Sequence, residues 1–262
     1  MTLSSSEKTS PSVASPASDW EPPNARAGIE WIDGATCGLI IAPHGVMGND
    51  DNTGPLARQT ALHANFHAAV NEVYRRPSHP SQADPEQLLV DLNRIDQVIH
   101  LLNESFLQPL LQLKEKIVEK HGRVLIVLIH GINDRNLQKY IRETGAPGDT
   151  AMLIGYGQGN DGQSRSAYPG LADNLIRLLK TNPIKGITAR STEESYDNYR
   201  GGHGNNLNQL FRRPDYRDEL VQSLQLEITW TGYRDTSLNI ENTARVLGWA
   251  LRRMAEMDFD IN

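Results

Sequence analysis

Apolar runs that stop abruptly organise this chain. Gly38-Leu39-Ile40-Ile41-Ala42 ends at Pro43-His44-Gly45, and Arg123-Val124-Leu125-Ile126-Val127-Leu128-Ile129 ends at His130-Gly131. Short runs this rich in Ile, Leu and Val predict buried strands, the second covered on both faces of a sheet. Further strands are predicted at 69–74, 149–157, 186–190 and 220–230. Helices are predicted at 54–69, 166–181 and 239–257. A long amphipathic helix over 95–120 is carried by Ile99, Leu102, Phe106, Leu110, Leu113 and Ile117 at helical spacing. Strand and helix patterns alternate, which predicts an α/β fold with a mixed, mostly parallel central sheet and helices on both faces. Ligands of such sheets sit beyond the carboxyl ends of the strands, where both His-Gly pairs are expected.

Composition sets the limits. Residues 1–24 are rich in Ser and Pro and are expected to form a disordered tail, because they bury too little apolar surface to offset the entropy of ordering. Residues 25–262 are expected to form one α/β domain. The net charge of -6 and the dispersed basic residues argue against a nucleic-acid or anionic-membrane surface. No apolar run approaches the ~20 residues of a membrane span, and the N-terminal stretch lacks the apolar core of a secretory signal, so the cytoplasm is the expected location. The single cysteine, Cys37, rules out an internal disulfide and a thiolate-rich zinc site. Its place beside an apolar run reads as a small buried hydrophobe rather than a nucleophile.

Four polar groups recur at or near predicted strand ends. They are His44 with Asp50 and Asp51 close behind, Asp91-Leu92-Asn93-Arg94, His130, and Glu227 within Leu226-Glu227-Ile228. Two imidazoles and a carboxylate at the mouth of a sheet meet the needs of a catalytic zinc, with one position left for water. A nearby glutamate that does not bind the metal can take the proton of that water, and an arginine fork can hold a substrate carboxylate. Each piece also has a plainer reading. A lone histidine after a strand is usually a capping or core residue, Asp50-Asp51 can be a solvated turn, and Glu227 can be half of a buried ion pair with an arginine.

Other features carry less. His63 and His67 are four apart on the predicted first helix, but no Glu follows the first of them, so they read as helix-surface residues. His203 lies in the Gly-rich segment Arg200-Gly201-Gly202-His203-Gly204, which can approach a ligand or simply face solvent. There is no phosphate-binding Gly-Lys-Ser/Thr loop, no dinucleotide fingerprint and no Gly-x-Ser-x-Gly nucleophile turn.

The series Pro43-His44-Gly45, Val90-Asp91-Leu92-Asn93-Arg94, an apolar strand into His130, and Gln225-Leu226-Glu227-Ile228 resembles the N-formylglutamate amidohydrolases. Phage poly-γ-glutamate hydrolases and, more distantly, zinc carboxypeptidases share the arrangement. The resemblance spans about residues 38–255 as an ordered set of short motifs. It implies a zinc-carboxypeptidase-like hydrolase domain with His44, His130 and an acidic residue, Asp50 or Asp51, as ligands of Zn2+. It implies further that Asn93 and Arg94 bind the substrate carboxylate and that Glu227 is the general base and then the acid. Arg76 (or Arg75) and His203 are added as candidate substrate-binding groups. The expected reaction is cleavage of an amide bond in a small acidic substrate, an N-acyl amino acid or a γ-glutamyl compound. Two alternatives are a metal-free binding protein on the same fold and a zinc esterase or deacylase.

Overall fold

Strand β4 (Val124–Gly131) forms the spine of the molecule, and all but its last residue are buried. In this computed structural model the described residues are 28–257, apart from 47, 49, 159–164, 193–198 and 213–219; the expected tail at 1–24 lies outside them. The other strands are β1 (Ile29–Ile32), β2 (Gly38–Ala42), β3 (His67–Asn71), β5 (Met152–Gly155), β6 (Ala189–Ser191) and β7 (Val221–Ile228). They form one sheet in the order β1-β3-β2-β4-β7-β5-β6. Strands β3, β2, β4 and β7 run parallel, while β1 pairs antiparallel with β3 and β5 pairs antiparallel with β7. Every residue of β2, β3, β5 and β7 is buried, which requires cover on both faces of the sheet.

Helices α1 (Thr53–Ala64), α5 (Pro169–Lys180) and α6 (Ser237–Glu256) supply one part of that cover, with α6 packed against both others. Helix α3 (Gln108–His121) lies against β4. Among the described residues, no helix is long and apolar enough to cross a membrane.

The chain enters β2, forms α1, returns in β3 on one side of β2, and later places β4 on the other side. The crevice beyond the carboxyl ends of β2 and β4 is therefore a topological switch point, the position where open α/β sheets bind ligands.

Several elements differ from expectation. Helix α1 stops at Ala64 rather than Ala69, because Asn65 adopts the left-handed conformation (φ 58°) and its N–H caps the carbonyls of Ala61 and Leu62. Residues 67–71 then form the strand expected at 69–74. His63 thus lies on α1 and His67 on β3, not on one helix face. The long helix expected over 95–120 is divided into α2 (Ile95–Leu101), a π-helical turn (Asn103–Leu107) and α3. Pro109 in the first turn of α3 has no N–H to give to the preceding turn, which places the break there. Strand β1 and helix α4 (Asp134–Thr144) were not expected at all.

Candidate metal and hydrolytic site

Three central strands deliver the site. Asn71, at the end of β3, donates through Nδ2 to the carbonyls of Pro43 (2.8 Å) and Tyr74 (2.7 Å), which fixes the turn just beyond β2. His44 follows that turn and is buried, and His130 is the next-to-last residue of β4. Glu227, the next-to-last residue of β7, is the register partner of His130. Paired residues of neighbouring parallel strands share a face, so the imidazole and the carboxylate leave the sheet on the same side.

Asp50 closes the group from the loop between β2 and α1. Thr53 pins that loop, its Oγ donating to the carbonyls of Asp50 (2.8 Å) and His44 (3.1 Å). Oδ2 of Asp50 lies 3.1 Å from Nδ1 of His44, from Nδ1 of His130 and from the backbone N of Gly131. The two imidazoles meet edge-on with centroids 5.1 Å apart. Asp51 takes no part in this cluster: its carboxylate accepts from Gly48 N and its carbonyl from the Arg234 guanidinium.

The charges inside the cluster follow from its contacts. Burial alone would push His44 down, but hydrogen bonds to Asp50 and Asp91 outweigh it and raise the ring from 6.5 to about 10. Burial likewise disfavours the charged form of His130; it has only Asp50 as a direct partner and faces the charged His44, so it is held below its usual value. Burial would raise Asp50, but the two histidines hold its carboxyl well below the carboxylate range. Glu227 differs. Burial and then the negative charge of Asp50 raise it well above the ordinary glutamate value, and its direct hydrogen bond comes from Gln225 Nε2 at 2.9 Å. Among the described residues no arginine or lysine bonds it directly, and the positive charges of His44 and the nearby Arg234 only partly offset this rise.

The donor set suits a small divalent cation. Ligand-type atoms of His44, Asp50 and His130 all lie within 4.8 Å of one another. Ligands at zinc distances in a tetrahedron sit about 3.3–3.4 Å apart, close to the observed 3.1 Å between the Asp50 oxygen and each Nδ1. His130 turns Nδ1 into the cluster, while its Nε2 is buried outside it without a hydrogen-bond partner. Asp91, given no role by sequence reasoning, accepts from His44 Nε2 at 2.8 Å. It thereby directs Nδ1 into the cluster, as carboxylates commonly do for metal-binding histidines.

The remaining candidates surround this centre unevenly. Arg76 reaches Oδ2 of Asp91 with Nε at 3.3 Å, and it also lines a cavity of about 570 Å³ with Ser78, Ser81, Gln82, Asp84 and Gln87. Arg94 is turned to Asp96 through two hydrogen bonds of 3.1 and 2.7 Å. Asn93 keeps a buried, unpartnered Oδ1. His203 is exposed and its Nδ1 accepts from Asn205 N in its own loop, so its ring is not drawn into the cluster. That loop still reaches the candidate substrate residues: Ile95 N donates to Asn205 O, and Leu207 N to Asn93 O.

Arg234 was also missed. Nearly fully buried, it donates to the carbonyls of Ile228 (3.0 Å), Ile132 (3.2 Å) and Asp51, joining the three segments that carry Glu227, His130 and Asp50. Its partners are carbonyls, which leave no mark in a sequence. The signal for Gln225 did exist: Ser223, Gln225 and Glu227 alternate with Leu224, Leu226 and Ile228, so β7 has one polar face.

No protein-family model matches the chain, and no curated protein matches it in sequence. Solved structures do. N-formylglutamate amidohydrolase from Ralstonia eutropha JMP134 superposes with a TM-score of 0.57 at 18% identity, over 88% of this chain and 98% of that one. A gene product of Agrobacterium tumefaciens gives a TM-score of 0.50 at 15% identity, over 87% and 96%. A bacteriophage poly-gamma-glutamate hydrolase is looser, with a TM-score of 0.46 at 16% identity over 85% and 86%. The mixed α/β architecture of this chain is thus the fold of N-formylglutamate amidohydrolase.

Proposed function

We propose that this protein is a zinc-dependent amidohydrolase acting on a small acidic amide, an N-acyl amino acid or a γ-glutamyl compound. The observation that carries the reading is the convergence of His44, Asp50 and His130 at the switch point, beside a buried carboxylate that no described arginine or lysine bonds directly. His44 and His130 through Nδ1, and Asp50 through Oδ2, would hold the ion. Zinc, when bound, supplies a Lewis acid for the carbonyl and makes its water acidic enough to ionise near neutral pH.

The chain's own residues do the rest. Glu227 takes the proton of the attacking water and returns it to the departing nitrogen, a role that suits a carboxyl whose proton affinity is raised by burial. Asp91 keeps the His44 ring in one orientation. Asn93 and Arg94 receive the substrate carboxylate, with Arg76 at the edge of the adjoining cavity and His203 in the loop above. The Arg94–Asp96 pair is roughly one-third exposed, and such pairs contribute only ~0–1 kcal/mol, so exchanging Asp96 for a substrate carboxylate costs little. The substrate is small, and neither nucleic acid nor membrane is a partner on this reading. Its compartment is the cytoplasm, which cell fractionation would check.

Elemental analysis of purified protein, combined with a panel of N-acyl amino acids and γ-glutamyl peptides, tests the proposal. One zinc per chain and amide cleavage are expected, with both lost in the His44→Ala/His130→Ala double variant. Zinc content unchanged in that variant would remove the mechanism.

A further inference from the structure

A chain of side-chain amides runs from the 203–208 segment to Glu227, and its polarity is forced. The backbone N–H of Asn208 donates to Asn206 Oδ1 at 2.8 Å. A backbone N–H can only donate, so the Asn206 side chain must present its oxygen there and its NH2 group on the other side. Asn206 Nδ2 lies 3.0 Å from Gln225 Oε1, and Gln225 Nε2 lies 2.9 Å from Glu227 Oε1. Each link fixes the next. Gln225 is buried and cannot turn over without facing NH2 to NH2 against Asn206. Gly201, in the left-handed region (φ 64°), lets the loop pack this closely: a Cβ there would come within 2.7 Å of Asn208 Nδ2 and 3.0 Å of Gln225 Oε1.

We propose that Gln225, oriented by Asn206, is a positioning residue that permanently occupies Oε1 of Glu227 and so reserves Oε2 as the only oxygen that exchanges protons with water and the leaving nitrogen. The Gln225 side chain bonds Asn206 and Glu227 and none of His44, Asp50 and His130, so it acts through Glu227. The consequence is a single proton-carrying atom, held in one orientation through the catalytic cycle. The segment that sets this polarity also bridges Arg94, through the Arg94–Asn206 β-bridge, so the carboxylate-binding side and the base share one support. This inference rests on the amidohydrolase reading for its kinetic consequence but not for the polarity itself.

Asn206→Asp tests it with a minimal change in shape. The aspartate still accepts from Asn208 N but offers Gln225 no donor, so the Gln225 amide reverses and turns its oxygen toward Glu227. Gln225→Leu removes the donor altogether. Each variant should lower kcat by roughly 10–100-fold, the usual cost of losing a supporting partner. KM and zinc content should change little, while melting temperature should fall by a few degrees, because each variant leaves a buried polar atom without its partner. The double variant should be no worse than Gln225→Leu, because Asn206 acts only through Gln225. Additive losses, or wild-type kcat in Asn206→Asp, would overturn the proposal.

A readout independent of turnover separates this failure from failure of the functional reading. The side-chain NH2 resonances of Gln225, identified by their absence in Gln225→Leu, should be protected from exchange. They should shift in both Glu227→Gln and Asn206→Asp. Resonances insensitive to both substitutions would refute the amide chain even in a protein that cleaves every amide offered.

Discussion

Replacing Glu227 with glutamine separates catalysis from folding, because the two respond in opposite directions. The carboxyl is buried and lies near the charge of Asp50, and these outweigh the positive charges of His44 and Arg234, so its proton affinity is raised well above the ordinary value. Raised affinity in the folded state means that ionised Glu227 opposes folding: the cost is absent below the unfolded pKa near 4.5 and grows as pH climbs toward the folded value. Glutamine keeps the shape and still accepts from Gln225 Nε2 but carries no such cost. Metal-free Glu227→Gln should therefore match the parent near pH 4 and exceed it in stability by a margin that widens towards neutral pH. On the proposed zinc amidohydrolase reading, turnover of the zinc-loaded protein should fall by ~10²–10⁴, the contribution of a positioned acid or base, or about 2.7–5.4 kcal/mol of barrier. The assay is paired: urea unfolding of the chelated proteins from pH 4 to 8, and kcat of the loaded ones at pH 7. A loss of ~3–5 kcal/mol would mean that the substitution had broken a buried ion pair instead. An unchanged kcat would refute the proton-transfer role outright.

Arg234→Met removes a charged donor shared by three carbonyls and should cost about 2–4 kcal/mol in urea unfolding, with weakened zinc retention because Asp51, Ile132 and Ile228 are no longer tied together. Wild-type stability in that variant would show that the three segments hold without it. In the metal-free protein His44, raised to about 10, contributes stability that is fully present below pH 6.5 and lost as pH rises through 10. Unfolding free energy of the chelated protein should fall over that alkaline window, and a flat profile would contradict the two-carboxylate setting of the ring. Deleting residues 1–24, on their composition, should leave melting temperature and activity nearly unchanged; a large drop would show that they pack on the domain.

Much of the centre was legible because physical chemistry marks it twice. His44 and His130 stand where apolar strands stop, and a strand that stops at a polar residue usually delivers it to a crevice. Glu227 was legible because a carboxylate between Leu226 and Ile228 is too costly to be accidental. Asp91 stood out only as part of Asp91-Leu92-Asn93-Arg94, and its role was hidden: an aspartate in a loop resembles any turn former, and its partner His44 is 47 positions away. The end of α1 was misplaced because Asn65 stops a helix only by adopting a left-handed conformation that its neighbours do not advertise. The break at Asn103–Leu107 was hidden by an apolar spacing that continues through it, since Phe106, Leu110 and Leu113 remain buried whichever helical geometry carries them.

The wedging of His44 between Asp50 and Asp91 sets the terms on which the proposed zinc would be loaded. An imidazole held near 10 is an imidazolium at neutral pH, so the ring on which a cation would settle already carries a proton at Nδ1. Loading is then an exchange in which a divalent ion enters and protons leave to solvent. The measured heat of zinc binding should consequently vary with the ionisation enthalpy of the buffer, and apparent affinity should rise steeply with pH. Acidification alone, without any chelator, would unload the site, and the vacated position would be taken up at once by a proton whose charge suits the same two carboxylates.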